Sequence, residues 1–216
     1  MKPLILINFK IYPEAVAEKG LKLVQELEKV KTKKYEIALA PSLLSLGEIK
    51  TTLPLFAQHA DGIDVGPHTG SIPVRELKLR GIHGTILNHS EHKIAFSILK
   101  KTIRLCQKEK IITVVCASTL AKVKKIAALH PDFIAYEPSA LIGGNISVTT
   151  AKPEIIKQAV NAVKKVSPKT KVLCGAGVHG RKDLLQALKV GTSGVLLAHA
   201  VVLAKNPRKF LEEMLG

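Results

Sequence analysis

Short apolar runs recur along the chain at about Leu4–Asn8, Glu36–Ala40, Leu55–Gln58, Gly84–Asn88, Ile112–Ala117, Phe133–Glu137, Lys171–Gly175 and Gly194–Ala198. They are mostly continuous rather than alternating, the pattern of parallel strands buried on both faces. Between them the apolar positions change to helical spacing. Ala17, Leu21, Val24 and Leu27 form one stripe, Ile98, Ile103 and Leu105 contribute to a broader one, and Ile156, Val160, Val163 and Val166 form a third. Pro153 suits the first turn of that third helix, where a missing N–H costs nothing. The connection from Asp61 to His83 carries Pro67, Gly70, Pro73 and Gly81 and has the weakest helical pattern.

Eight strand-like runs in 216 residues allow about 27 residues per unit, close to the minimum for a strand–helix–strand element. No linker, repeat or low-complexity segment interrupts them. The economical reading is α/β, a single (β/α)8 barrel domain over residues 1–216, with a doubly wound open sheet as the alternative. No stretch approaches the roughly 18–20 apolar residues of a membrane span. The opening Met1-Lys2-Pro3 with its short apolar run reads as a first strand rather than a signal peptide.

Composition changes this picture little. Cys106, Cys116 and Cys174 are far apart and in no CxxC pattern, which predicts core thiols and a reducing cytoplasm. The formal net charge of +16 raises nucleic acid as a partner. The lysines are scattered over several helical stretches, however, and aromatics make up only 4% of the chain. Base-stacking platforms are therefore scarce, and nucleic-acid binding is expected to be at most weak and salt-sensitive.

One motif is a decoy. Gly175-Ala176-Gly177-Val178-His179-Gly180 fits GxGxxG after a strand, but it follows the seventh strand, and Val195–Lys205 offers no acidic residue for a ribose. Its glycines remain a generic phosphate cradle. His89 and His92 match no HExxH pattern, so neither metal nor cofactor is expected.

Three strings end strands with groups able to do chemistry. In Asn8-Phe9-Lys10, the two-residue period turns Asn8 and Lys10 toward a barrel mouth and Phe9 toward the helices. His89-Ser90-Glu91 precedes a helical pattern, and a helix N-terminus would disfavour imidazolium and keep the ring neutral. Glu137 is followed by Pro138 and by Leu141-Ile142-Gly143-Gly144, a carboxylate beside a closable loop, suited to act as a base once water is excluded.

In this order, and with Gly66-Pro67-His68-Thr69-Gly70-Ser71-Ile72, Ala151-Lys152-Pro153-Glu154 and Leu173-Cys174-Gly175-Ala176-Gly177, these strings resemble the triosephosphate isomerase family, particularly its compact archaeal-type branch. The resemblance runs nearly end to end. It implies a cofactor-independent isomerase of glycolysis and gluconeogenesis, interconverting D-glyceraldehyde 3-phosphate and dihydroxyacetone phosphate through an enediolate. It makes Glu137 the base, His89 the neutral electrophile, Lys10 the electrostatic stabiliser, Asn8 a substrate-orienting residue and Glu91 a supporting carboxylate. It makes residues 138–149 a lid, and places the phosphate on backbone amides of Gly143, Gly177, His199 and Ala200. Thr69 would reach a neighbouring subunit in a homodimer or homotetramer.

Departures from the family pattern gather at the phosphate end. Ser139-Ala140 follows Pro138 where the archaeal branch has Pro-Glu, and His199-Ala200 stands where a small Ser-Gly or Ser-Ala pair is expected. Val178-His179-Gly180-Arg181-Lys182 is basic for a seventh loop. They leave open a second reading: a catalytically weakened barrel binding phosphate compounds or nucleic acid.

Overall fold

The computed structural model describes residues 2–138 and 153–216. Strands and helices alternate as β1 (Leu4–Asn8), α1 (Ala17–Glu28), β2 (Glu36–Ala40), α2 (Leu43–Leu46), β3 (Phe56–Ala57), α3 (Val74–Leu79), β4 (Gly84–Leu87) and α4 (Phe96–Glu109). They continue as β5 (Ile112–Ala117), α5 (Leu120–Ala127), β6 (Phe133–Tyr136), α6 (Pro153–Val166), β7 (Lys171–Cys174), α7 (Arg181–Lys189), β8 (Gly194–Leu197), α8 (His199–Val202) and α9 (Pro207–Leu215). Eight parallel strands in the order β2-β1-β8-β7-β6-β5-β4-β3 make one sheet. The bridge Leu39–Leu55 joins its two ends, so the sheet is a nearly closed (β/α)8 barrel. No helix of the described residues is long and apolar enough to cross a membrane.

The two-residue period sorts each strand between two cores. Leu4 and Leu6 of β1 join Ala38, Phe56, Ile86, Val114, Ala135, Leu173 and Leu196 inside the barrel. Ile5, Ile7 and Phe9 pack outward against the helices, as expected for Phe9. Continuing the inward parity one step brings Asn8, Gln58, Asn88, Cys116, Glu137 and Gly175 to the C-terminal rim. The rim is polar because strands that are apolar throughout end there on polar or small residues.

The strand positions agree with the sequence reading to within a residue at either end. Helix faces agree less well. Helix α4 buries Leu99, Thr102, Ile103 and Cys106 and leaves Ile98 45% exposed. The cause is the third connection: a Cβ at Gly62 would lie 2.8 Å from Thr102 Oγ1 and 3.3 Å from the Ile98 carbonyl oxygen. That backbone lies against α4 at Thr102 and sets the helix's rotation. Helix α6 likewise buries Ala159 and Ala162 beside Ile156 and Val163, with Val166 exposed. Small residues count for more in helix–barrel contact than an aliphatic stripe suggests.

Candidate active site

The chain leaves β1 in a forced turn. Lys10 has a φ of 50°, the left-handed region that costs a non-glycine residue about 1 kcal/mol or more. Two side chains hold it there. Asn8 Oδ1 accepts the Lys10 N–H at 3.0 Å, and Gln58 Nε2 donates to the Lys10 carbonyl at 2.9 Å and to the Ala40 carbonyl at 3.0 Å. The turn delivers Lys10 Nζ to Glu91 Oε1 at 2.6 Å. Burial works against the ammonium, but the hydrogen bond and charge of Glu91 outweigh it and raise the Lys10 pKa. The cation therefore persists at neutral pH.

His89 is positioned by a second left-handed residue, Asn88, with a φ of 57°. The Asn88 amide donates to the Cys116 carbonyl at 2.9 Å, and its oxygen accepts the Ile94 N–H at 3.3 Å. This folds the stretch from 88 to 94 back over the mouth. Helix α4 begins only at Phe96, so the helix-terminus argument for a neutral ring does not hold at His89. Burial is the main reason instead: it lowers the His89 pKa, Glu91 pulls it up and Lys10 pushes it down. The Glu91 N–H donates to His89 Nδ1 at 3.2 Å, which makes Nδ1 the acceptor and puts the imidazole proton on Nε2. That nitrogen lies 3.7 Å from Glu137 Oε1, too far for a hydrogen bond, so the two groups are not tied to each other.

Glu137 is only 5% exposed. Its N–H bonds the Ala117 carbonyl at 2.8 Å, and Cys116 Sγ lies 3.7 Å from Oε1. A Cβ at Gly175 would sit 2.5 Å from Glu137 Cγ, so only glycine lets the carboxylate occupy this place. Burial lifts its pKa to about 7, against downward pulls from the Cys116 thiol and Lys10 and a further upward push from Glu91. At neutral pH it therefore exists in comparable amounts as acid and base.

These groups form one side of a cleft of about 470 Å3. The other side is the β7 and β8 ends, Gly175–His179 and Ala198–Ala200. Gly177, with a φ of 66°, turns the seventh loop. The His179 and His199 rings stand edge to face with centroids 6.0 Å apart. The GxGxxG string is thus a cleft wall between β7 and α7.

Asn8, Lys10, His89, Glu91, Glu137, Gly177, His199 and Ala200 all line this one cleft. Gly143 and the expected lid from 139 onward lie outside the described residues. Thr69 is exposed in the third connection, away from the cleft. Sequence reasoning overlooked Gln58, which holds the Lys10 turn, and treated Cys116 as core alone. The inward parity of Val114 and Cys116 was the available signal for the thiol. Among the described residues, no group of three or more His, Cys, Asp or Glu is arranged to hold a metal ion.

A family model described as triosephosphate isomerase matches residues 3–214. The chain is 40% identical to the triosephosphate isomerase of Methanothermus fervidus, covering 99% of this chain and 98% of that one. It is 40% identical to the enzyme of the same name from Methanocaldococcus jannaschii, covering 98% of each. To that of Archaeoglobus fulgidus it is 36% identical, over 98% of this chain and 96% of the relative.

Proposed function

The chain belongs to the triosephosphate isomerase family and is an isomerase, and from that premise we propose that Glu137, His89 and Lys10 carry out its reaction. The reaction interconverts D-glyceraldehyde 3-phosphate and dihydroxyacetone phosphate, a step of glycolysis and gluconeogenesis. Glu137 takes the proton from the carbon next to the carbonyl and returns it to the neighbouring carbon. A base with a pKa of about 7 does both without an energetic penalty either way at neutral pH. The His89 Nε2–H donates to the carbonyl oxygen as the enediolate forms, and the neutral ring passes a proton between the two oxygens. Lys10 balances the negative charge that develops. The electrons stay within the substrate, so the step needs no external oxidant or reductant.

One observation carries this reading: a buried carboxylate of near-neutral pKa faces the protonated nitrogen of a neutral imidazole, with a lysine ammonium alongside. A coupled isomerase assay tests it. Glu137→Ala should lower kcat/KM by roughly 10²–10⁴-fold, and a wild type no more active than that variant would sink the assignment. The alternative of a weakened, non-catalytic barrel has no observation in its favour.

The phosphate belongs on the β7 and β8 side, with the amides of Gly177, His199 and Ala200 as donors. Self-association completes the reading. Ile11, Leu44 and Val65 are exposed apolar residues that follow three strands neighbouring in the barrel, and Thr69 lies in the same third connection. A homodimer would cover them, and a homotetramer would pair such dimers. A cytoplasmic location fits three buried cysteines with free thiols. Nucleic-acid binding, if measured, should be weak and collapse as salt rises.

A further inference from the structure

We propose that His179 and His199 form a proton-linked seat for the substrate's phosphate, so that the phosphate and a proton enter the cleft together. The inference rests on the phosphate occupying the β7 and β8 side of the cleft, as argued above. The two rings come from adjoining strand ends and stand 6.0 Å apart, edge to face. A tetrahedral anion presents oxygens on several sides and can accept from a nitrogen of each ring at once. Asp183 sits beside His179: its Oδ2 accepts the His179 backbone N–H at 2.9 Å, which anchors the main chain there, and lies 3.7 Å from ring Nδ1, near but not hydrogen-bonded. Nε2 is then the nitrogen turned away from that carboxylate. The anchored backbone and the neighbouring carboxylate keep the ring at the cleft wall beside His199.

The charges around the pair explain why the proton must come with the ligand. Burial disfavours the His199 imidazolium first, and His179 and Lys10 disfavour it further. Glu137, Glu91 and His89 face the pair across the cleft, and Tyr12 also lines it. Arg181, the first residue of α7, places its guanidinium against the C-terminal Gly216. Without an anion, two imidazoliums beside a lysine repel one another. A dianion between them adds an attraction to each cation that outweighs this opposition, so binding draws a proton onto the pair and tightens as pH falls.

Sulfate is the suitable probe, because it remains a dianion across pH 6–8 whereas phosphate esters titrate there. Calorimetric titration of the wild type should show sulfate binding about tenfold tighter at pH 6 than at pH 8, with net proton uptake. His179→Gln/His199→Gln should lose most of that difference. Glu137 also titrates near neutral pH, but it is present in both proteins, so the loss belongs to the imidazole pair. His199→Ser, at an exposed position, gives a second reading that does not depend on the double variant folding, and should lose part of the difference. Equal pH dependence in the variants would overturn the proposal. So would tighter sulfate binding at both pH values, which would mean that the rings only obstruct the seat. Isomerase activity is measured separately, so an inactive wild type would count against the premise and leave the sulfate result to stand or fall alone.

Discussion

On one wall of the cleft, Lys10, His89 and Glu137 are fixed by side-chain and backbone hydrogen bonds, and desolvation sets the proton affinity of the buried carboxylate and imidazole. On the other, His179 is half-buried and His199 exposed, both held by fewer contacts, and burial, His179 and Lys10 all disfavour the His199 imidazolium. The first wall therefore holds its groups in place before anything enters the cleft, and the proposed anion wall changes its protonation when an anion arrives. In the proposed reaction, proton transfer to carbon needs the first property, since base and electrophile must be in place before the substrate is. Recognition of a dianion tolerates the second.

The sharpest separation of the walls comes from stability. The Glu137 carboxyl has a pKa of about 7 in the folded chain against an ordinary 4.5, so below pH 4.5 it is protonated folded or unfolded and costs nothing. As pH rises through that interval the unfolded chain loses this proton while the folded chain keeps it, which favours unfolding, and the cost levels off at about 3 kcal/mol above pH 7. Glu137→Gln has no such proton to lose. Denaturant unfolding should find the variant more stable than wild type by up to that amount at pH 8 and close to equal at pH 4.5. A constant difference would mean that the carboxylate is not strained by burial.

Gly175 offers a smaller and more pointed test, because it lies on the anion wall yet touches the base. Gly175→Ala forces a Cβ against Glu137 Cγ. It should reduce kcat by roughly 10–100-fold through misplacement of the carboxylate, with sulfate affinity changed less than about twofold. A variant that loses sulfate affinity and keeps kcat would reverse the division of labour between the walls. Smallest is Gln58→Ala, which removes two hydrogen bonds and should cost about 1–2 kcal/mol of stability and a few-fold in kcat/KM as the Lys10 turn relaxes. An unchanged kcat/KM would show that Asn8 alone holds that turn.

The barrel and the gathering of Asn8, Lys10, His89 and Glu137 at one cleft were legible because they depend on local patterns. Continuous apolar runs such as Leu4–Asn8 and Ile112–Ala117 coincide with strands, and the polar residues that end them fall at the rim. What was hidden depends on contacts between distant segments. Ile98 looks like a core residue until Gly62 places the third connection against Thr102. His89 looks like a helix-start residue until Asn88 folds the chain back ahead of Phe96. A glutamine such as Gln58 carries no signature at all, since its role exists only where β2, β3 and the Lys10 turn converge.

That convergence has a kinetic consequence. The barrel is a ring whose β2–β3 joint is its thinnest, closed in the described residues by the Leu39–Leu55 bridge, with the Leu39 N–H on the Pro54 carbonyl at 3.0 Å and Gln58 clasping the rim above. Sub-global opening follows the weakest joint, so amide protons near Leu39 should exchange ahead of those in β5, β6 and β7. Each such opening releases the Lys10 carbonyl from Gln58 while Glu137, beyond β6, stays in register on the far arc. On heating, isomerase activity is therefore expected to fall before the secondary structure of the barrel does, as parallel activity and circular-dichroism melts would show.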